Sequence, residues 1–159
     1  MEARNHDGPV LFAYDGSDHA KAAIRQAGRQ LRSGRRAIVL TVWVPAAAQS
    51  FAPAPVVTPA GPDQASEQDA SRLADEGAEL ARAGGFDAEP SAERGESVWR
   101  RIVDSAKEHD AGILVLGTHG RTGLSLLIMG SVATAATRHT ERTVMIVHNA
   151  ASSLDGELR

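Results

Sequence analysis

Cysteine is absent from the 159 residues. That excludes a disulfide scaffold, a thiolate-ligated zinc or iron–sulfur site, and a thiol nucleophile. Lysine is nearly absent: of 17 basic residues only Lys21 and Lys107 are lysine. Neither follows a glycine-rich loop and no G-x-x-x-x-G-K-[ST] occurs, which removes the P-loop nucleotide hydrolases. No G-x-G-x-x-G follows an aliphatic run and no G-x-S-x-G is present, which disfavours the usual dinucleotide enzymes and the serine hydrolases with a nucleophile elbow. An excess of positive charge is also missing. The 20 acidic residues outnumber the 17 basic ones, for a net charge of −3, whereas general nucleic-acid binding wants a strongly basic face. No apolar run approaches the ~18 residues of a membrane span. The opening MEARNHDGPV lacks the charged-then-apolar pattern of a leader. A cytoplasmic chain with neither a nucleic-acid nor a membrane partner is therefore expected. Aromatic residues are scarce, 4% against 42% apolar residues overall, so the core should be aliphatic. At roughly 150 residues per domain, the length suits one domain.

Four aliphatic runs without period-two alternation read as strands buried on both faces. They are Val10–Tyr14, Ala37–Val44, Gly112–Leu116 and Thr143–Val147. Such strands belong to parallel sheets covered by helices. A more polar fifth candidate, Phe86 to Glu93, suits a sheet edge. Between them lie helical stripes. Ala20, Ala23, Ile24, Ala27 and Leu31 form the first, with Ser17 as N-cap and Gly34 as stop. Ala70, Leu73, Ala74, Gly77, Leu80 and Ala81 form the second, preceded by Ser66-Glu-Gln-Asp69, which reads as a capping box. Val98, Ile102, Val103 and Ala106 form the third, and Ser131 to His139 the fourth. The alternation predicts an α/β fold with right-handed crossovers. Pro45 to Asp63 carries five prolines among alanines and reads as a flexible loop. Residues 1–150 are expected to form the domain and 151–159 a frayed tail.

Open parallel sheets bind ligands beyond the carboxyl ends of their strands. Two such ends hold polar residues. One is Ala13-Tyr14-Asp15-Gly16-Ser17. The other is Gly117-Thr118-His119-Gly120-Arg121-Thr-Gly123, followed by Gly130-Ser131 at the start of the last helix. The spacing is G-x2-G-x9-G-S. Glycines permit close backbone approach and leave amide hydrogens available, and a helix N-terminus favours an anion. Together they would cradle a di- or triphosphate, with Arg121 as the one supplementary cation of the loop.

This pattern resembles the ATP-binding branch of the universal stress protein family. The resemblance spans Val10–Ser17, Gly95–Val98, Leu114–Gly123 and Val144–Val147. It implies a Rossmann-like open sheet of five parallel strands in the order 3-2-1-4-5, with helices on both faces. It also implies site roles: Asp15 beside the ribose or a phosphate-bound Mg²⁺, Val42 against adenine, and Gly117, His119, Gly120, Gly130, Ser131 and Val132 around ribose and phosphates. Ala13, Tyr14, Thr118 and Arg121 complete the candidate set. Two departures are Leu126, where relatives often carry a basic residue, and Thr143, where many carry proline.

Plainer readings stand beside these. Asp15-Gly16-Ser17 could be only a turn and a cap, Gly117 and Gly120 only turn glycines, His119 a solvated side chain, and Ser131 an N-cap with or without a ligand. Trp43 and Trp99 read as packing residues. His6, His19, His109 and His148 have no helical metal spacing. The expected function is an ATP-binding stress-response sensor or regulator, taking ATP, ADP or AMP with or without Mg²⁺, and with little turnover. The alternatives are a slow Mg²⁺-dependent ATP hydrolase or nucleotidyl transferase, and a nucleotide-free interaction module. In the implied strand order, 143–147 is an aliphatic edge, which invites pairing with a second copy and predicts a homodimer.

Overall fold

The computed structural model describes residues 7–46, 62–119 and 129–148. Five strands alternate with four helices: β1 Val10–Ala13, α1 Asp18–Gln30, β2 Arg36–Trp43, α2 Pro62–Ala83, β3 Asp87–Arg94, α3 Val98–Glu108, β4 Ile113–Gly117, α4 Ser131–His139 and β5 Thr143–Val147. All strand pairings are parallel, in the order β3-β2-β1-β4-β5. The expected α/β class, strand order and two-sided helix cover are those observed.

Side chains alternate across the pleat, and each face builds its own core. Val10, Phe12, Tyr14, Val39, Val115 and Val147 pack under α1 and α2. Leu11, Leu40, Leu114 and Leu116 pack under α3 and α4, joined by half-buried Val144 and Ile146. The helices of the first face meet the sheet largely with alanines, Ala20, Ala23 and Ala27 from α1 and Ala70, Ala74, Ala78 and Ala81 from α2, each at most 5% exposed, with Ile24 of α1 the fully buried larger side chain among them. Phe12 lies edge-on to Phe86 there, with ring centres 5.2 Å apart.

Several local expectations change. Of the anticipated loop Pro45–Asp63, residues 47–61 lie outside the described residues, and Pro62 and Asp63 open α2 instead. Proline is suited to a first helical position, where no N–H partner is required. Ser66–Asp69 therefore lies inside α2 rather than ahead of it. Helix α1 ends at Gln30 with Leu31 as its C-cap, not at Gly34. Gly34 sits in the following turn and donates its N–H to the Gly85 carbonyl at 2.7 Å. The polar strand runs Asp87–Arg94 at the β3 edge, where its exposed Pro90 is tolerated. Its neighbour across the sheet is β2 alone, in register from Arg36 opposite Asp87 to Trp43 opposite Arg94. The tail 151–159 lies outside the described residues.

Candidate functional site

At the carboxyl ends of β1, β2 and β4 the chain encloses a cavity of about 470 Å³, within the size range of small-molecule sites. Ten of the twelve candidate residues line it: Ala13, Tyr14, Asp15, Val42, Gly117, Thr118, His119, Gly130, Ser131 and Val132. Gly120 and Arg121 lie outside the described residues, as does Leu126.

The β1–α1 turn is built from its own hydrogen bonds. Asp15 Oδ1 accepts the Ser17 N–H at 3.0 Å, and Ser17 Oγ caps α1 by accepting from Ala20 N–H at 3.2 Å. Gly16 takes φ +79°, a conformation that L side chains rarely adopt. A Cβ there would also stand 2.8 Å from Leu73 Cδ2. Tyr14 is fastened at both backbone ends: its N–H donates to Leu40 O at 2.8 Å, and its carbonyl accepts from Thr41 Oγ1 at 2.9 Å.

The β4 side is built differently. The Thr118 N–H donates to Val147 O at 3.1 Å, and the Gly130 N–H donates to Thr118 O at 2.7 Å. The Gly130 amide, expected to be open to a phosphate, is thus spent on the Thr118 carbonyl. Gly130 is also the N-cap of α4, with Ser131 the first helical residue, so Ser131 is not the cap. The Thr134 N–H is the first to close an α4 turn, onto Gly130 O at 3.0 Å. The first-turn donors of the helix, at Ser131, Val132 and Ala133, lie beyond that ladder among the described residues, and all three residues line the cavity. Gly117 is explained without a ligand, since a Cβ would fall 2.8 Å from the His19 carbonyl carbon and oxygen.

His119 is buried, at 7% exposure. Its ring lies 5.0 Å from that of His19, and its Nδ1 is 3.2 Å from Thr118 Oγ1. It is not a solvated histidine. Trp99 stacks on His139 with ring centres 4.6 Å apart, away from the cavity, whereas Trp43 lines it. Among the described residues no three His, Asp or Glu side chains gather as a metal site, and no helix is long and apolar enough to cross a membrane.

One wall was invisible to motif reading. Ser66, Asp69, Ala70 and Leu73 of α2 line the cavity opposite the strand ends, and Val98 and Ile102 of α3 contribute from the other face. The only signal in the sequence was the α2 stripe itself, which marks a buried face without saying that half of it borders a cavity.

Tyr14 links this wall to the site. Its phenol donates to Glu76 Oε1 at 2.5 Å, and Lys21 Nζ lies 3.2 Å from the same oxygen. Burial, reinforced by the bond to Glu76, raises the Tyr14 phenol above its ordinary range. The hydrogen bonds from Tyr14 and Lys21 hold the Glu76 carboxyl below its ordinary range.

Fold and crevice together define a doubly wound α/β protein with a cleft where such sheets take ligands. Within that class the chain belongs to the universal stress protein family, whose model matches residues 8–148. Three solved structures illustrate the likeness. A universal stress protein from Archaeoglobus fulgidus in complex with dAMP is 22% identical over 87% of this chain and 96% of its own, with TM-score 0.60. A family member from Arabidopsis thaliana with AMP bound is 18% identical over 91% and 93%, with TM-score 0.63. A universal stress protein in complex with cAMP is 24% identical over 89% and 96%, with TM-score 0.60. No curated protein matches the chain.

Proposed function

We propose that this chain binds an adenine nucleotide in the cavity at the strand ends and works as an ATP-binding stress-response sensor or regulator. The observation that carries the reading is the convergence on one cavity of Asp15, Val42 and the first turn of α4. A nucleotide fits these three in order. Val42 offers an apolar side chain and strand backbone to a base. Asp15 offers a carboxylate to ribose hydroxyls. The first-turn amides of α4 and the Ser131 hydroxyl offer donors to phosphate. The complexes of family members with AMP, dAMP and cAMP support the same ligand class.

Mg²⁺ prefers carboxylate and phosphate oxygens, and the Asp15 carboxylate on the cavity wall is a donor of that kind. With a bound triphosphate, Asp15 would hold the ion, which would neutralise phosphate charge. Phosphoryl transfer depends on positioned charge, and neither lysine of the chain lines the cavity. Turnover in this reading is therefore slight. The half-buried aliphatic edge Val144–Ile146 of β5 supports a homodimer through that strand. A cytoplasmic location completes the reading.

Mass spectrometry of small molecules released by denaturing freshly purified protein tests it, together with calorimetry using AMP, cAMP and ATP with and without Mg²⁺. An adenine nucleotide should co-purify, or at least one of the three should bind. Hydrolysis should stay far below the roughly 1–100 s⁻¹ of kinases. No binding by any of the three would overturn the proposal, and turnover in that range, lost in Asp15→Asn, would make the protein an enzyme.

A further inference from the structure

Helix α2 serves the molecule in two halves. Its N-terminal turns, through Ser66, Asp69, Ala70 and Leu73, overhang the cavity. Its later turns, through Ala74, Ala78 and Ala81, are wholly buried in the core. These positions lie along one helical stripe. Where the halves meet, the helix is keyed to β1 and β2. A Cβ at Gly77 would come within 2.6 Å of Val39 Cγ1 and 2.8 Å of Tyr14 Cδ1, so the Tyr14 ring lies directly against the helix backbone. One residue earlier, Glu76 accepts the Tyr14 phenol and pairs with Lys21 of α1. One turn earlier, Leu73 presses on Gly16, beside Asp15. Tyr14 is thus a polar fixed point where the two halves of α2 meet, and its own backbone is anchored on β2 through Leu40 and Thr41.

We infer that the Tyr14 phenol is a positioning residue for the ligand cavity: its hydrogen bond to Glu76 sets the height of α2 above the strand ends, and with it the width between Val42 and the Asp69–Leu73 wall. The phenol acts through α2, to which it is bonded at Glu76. The affinity consequence rests on the nucleotide reading above, while the wall geometry does not. Burial first and the bond second raise the phenol, and the same bond lowers the Glu76 carboxyl.

The bond can be removed cleanly. In Tyr14→Phe the ring still fills its place against Gly77. Glu76, half exposed, keeps Lys21, so no charge is stranded in the core. Trp43, at the end of β2 and lining the same cavity, reports how open the cavity is. In a Trp99→Phe background it is the only tryptophan, and acrylamide quenching of its fluorescence measures access to the cavity. Quenching should rise in Tyr14→Phe and in Glu76→Ala, with the double variant no worse than either. Glu76→Gln, which keeps an acceptor, should stay close to wild type. Tyr14 is the sole tyrosine, so alkaline titration of tyrosinate absorbance verifies the bond: Glu76→Ala should lower the phenol toward its ordinary value. AMP affinity by calorimetry should weaken about three- to tenfold in Tyr14→Phe, the scale of one lost net hydrogen bond. Unchanged quenching in both Tyr14→Phe and Glu76→Ala overturns the inference, whether or not AMP binds. Raised quenching with no AMP binding by the wild type leaves the wall role standing and removes the nucleotide reading. Wild-type AMP affinity retained in Tyr14→Phe overturns the affinity consequence.

Discussion

Helices α1 and α4 begin at the same end of the sheet, and their first turns are finished in opposite ways. In α1 the Ser17 hydroxyl caps the helix, Asp18 sets a negative charge in the first turn, and the Asp15 carboxylate accepts the N–H of the cap itself. In α4 the cap is Gly130, which has no side chain to offer, and the first turn carries no acid. The positive end of α1 is satisfied from within the chain. That of α4 presents its donors to the cavity. Under the proposed function, an anion at α4 would supply the acceptor that Gly130 lacks, whereas at α1 it would meet a side-chain cap and an acid already in place. The difference is why the proposed function puts phosphate at α4 rather than α1.

Gly130→Val should break the comparison most severely. A Cβ at 130 would stand 3.1 Å from the Thr118 carbonyl, the acceptor of the Gly130 N–H. The branched side chain would disturb both the loop closure and the mouth of α4. We expect AMP binding to be lost by calorimetry in a protein that remains folded by circular dichroism. Equal affinity for variant and wild type would remove α4 from the site.

Ser17→Ala sharpens the contrast from the other side. It should cost about 1 kcal/mol of stability, the usual loss for an N-cap hydroxyl, in urea unfolding, with AMP affinity as in wild type. A large loss of affinity at unchanged stability would mean that the α1 end meets the ligand after all.

The smallest effect concerns pH, and again the α1 side should respond. Glu76 is held below its ordinary value, so its contribution is present above about pH 4.3 and is lost as pH falls through the lowered value. Tyr14 is raised, so its contribution is complete below about pH 10 and is lost as pH rises toward the raised value. Urea midpoints across pH should fall at both limits in the wild type. In Tyr14→Phe the alkaline decline from this group should vanish and the acid decline should shrink.

Much of this architecture was legible because its causes are local. Continuous aliphatic runs mark strands buried on both faces, and the Ser17 cap is written within four residues of the helix it starts. The candidate positions at the strand ends follow from topology once the strands are known. What escaped reading depends on distant partners. Ser66–Asp69 has the composition of a cap, yet it lies within α2 because the helix begins at Pro62. Gly117 reads as a ligand-approach glycine, although the atoms crowding it belong to His19 on another element. The Tyr14–Glu76 bond joins residues 62 positions apart, and neither residue type at either place announces the other.

The alanine facing between the sheet and its α1 and α2 cover has a consequence for how this protein can change. A leucine core can be trimmed one methyl at a time, each step costing something and leaving a hole. Ala20, Ala23, Ala27, Ala74, Ala78 and Ala81 have almost nothing to trim, and they are already 5% exposed or less. Replacement by glycine costs helix rather than volume, roughly 0.5–1 kcal/mol each. Replacement by anything larger must lift a helix off the sheet, at about 1–3 kcal/mol. At these alanine positions, unlike Ile24 beside them, variation in size therefore has only one direction, outward. Because α2 is also a wall of the cavity, each outward step there moves that wall as well.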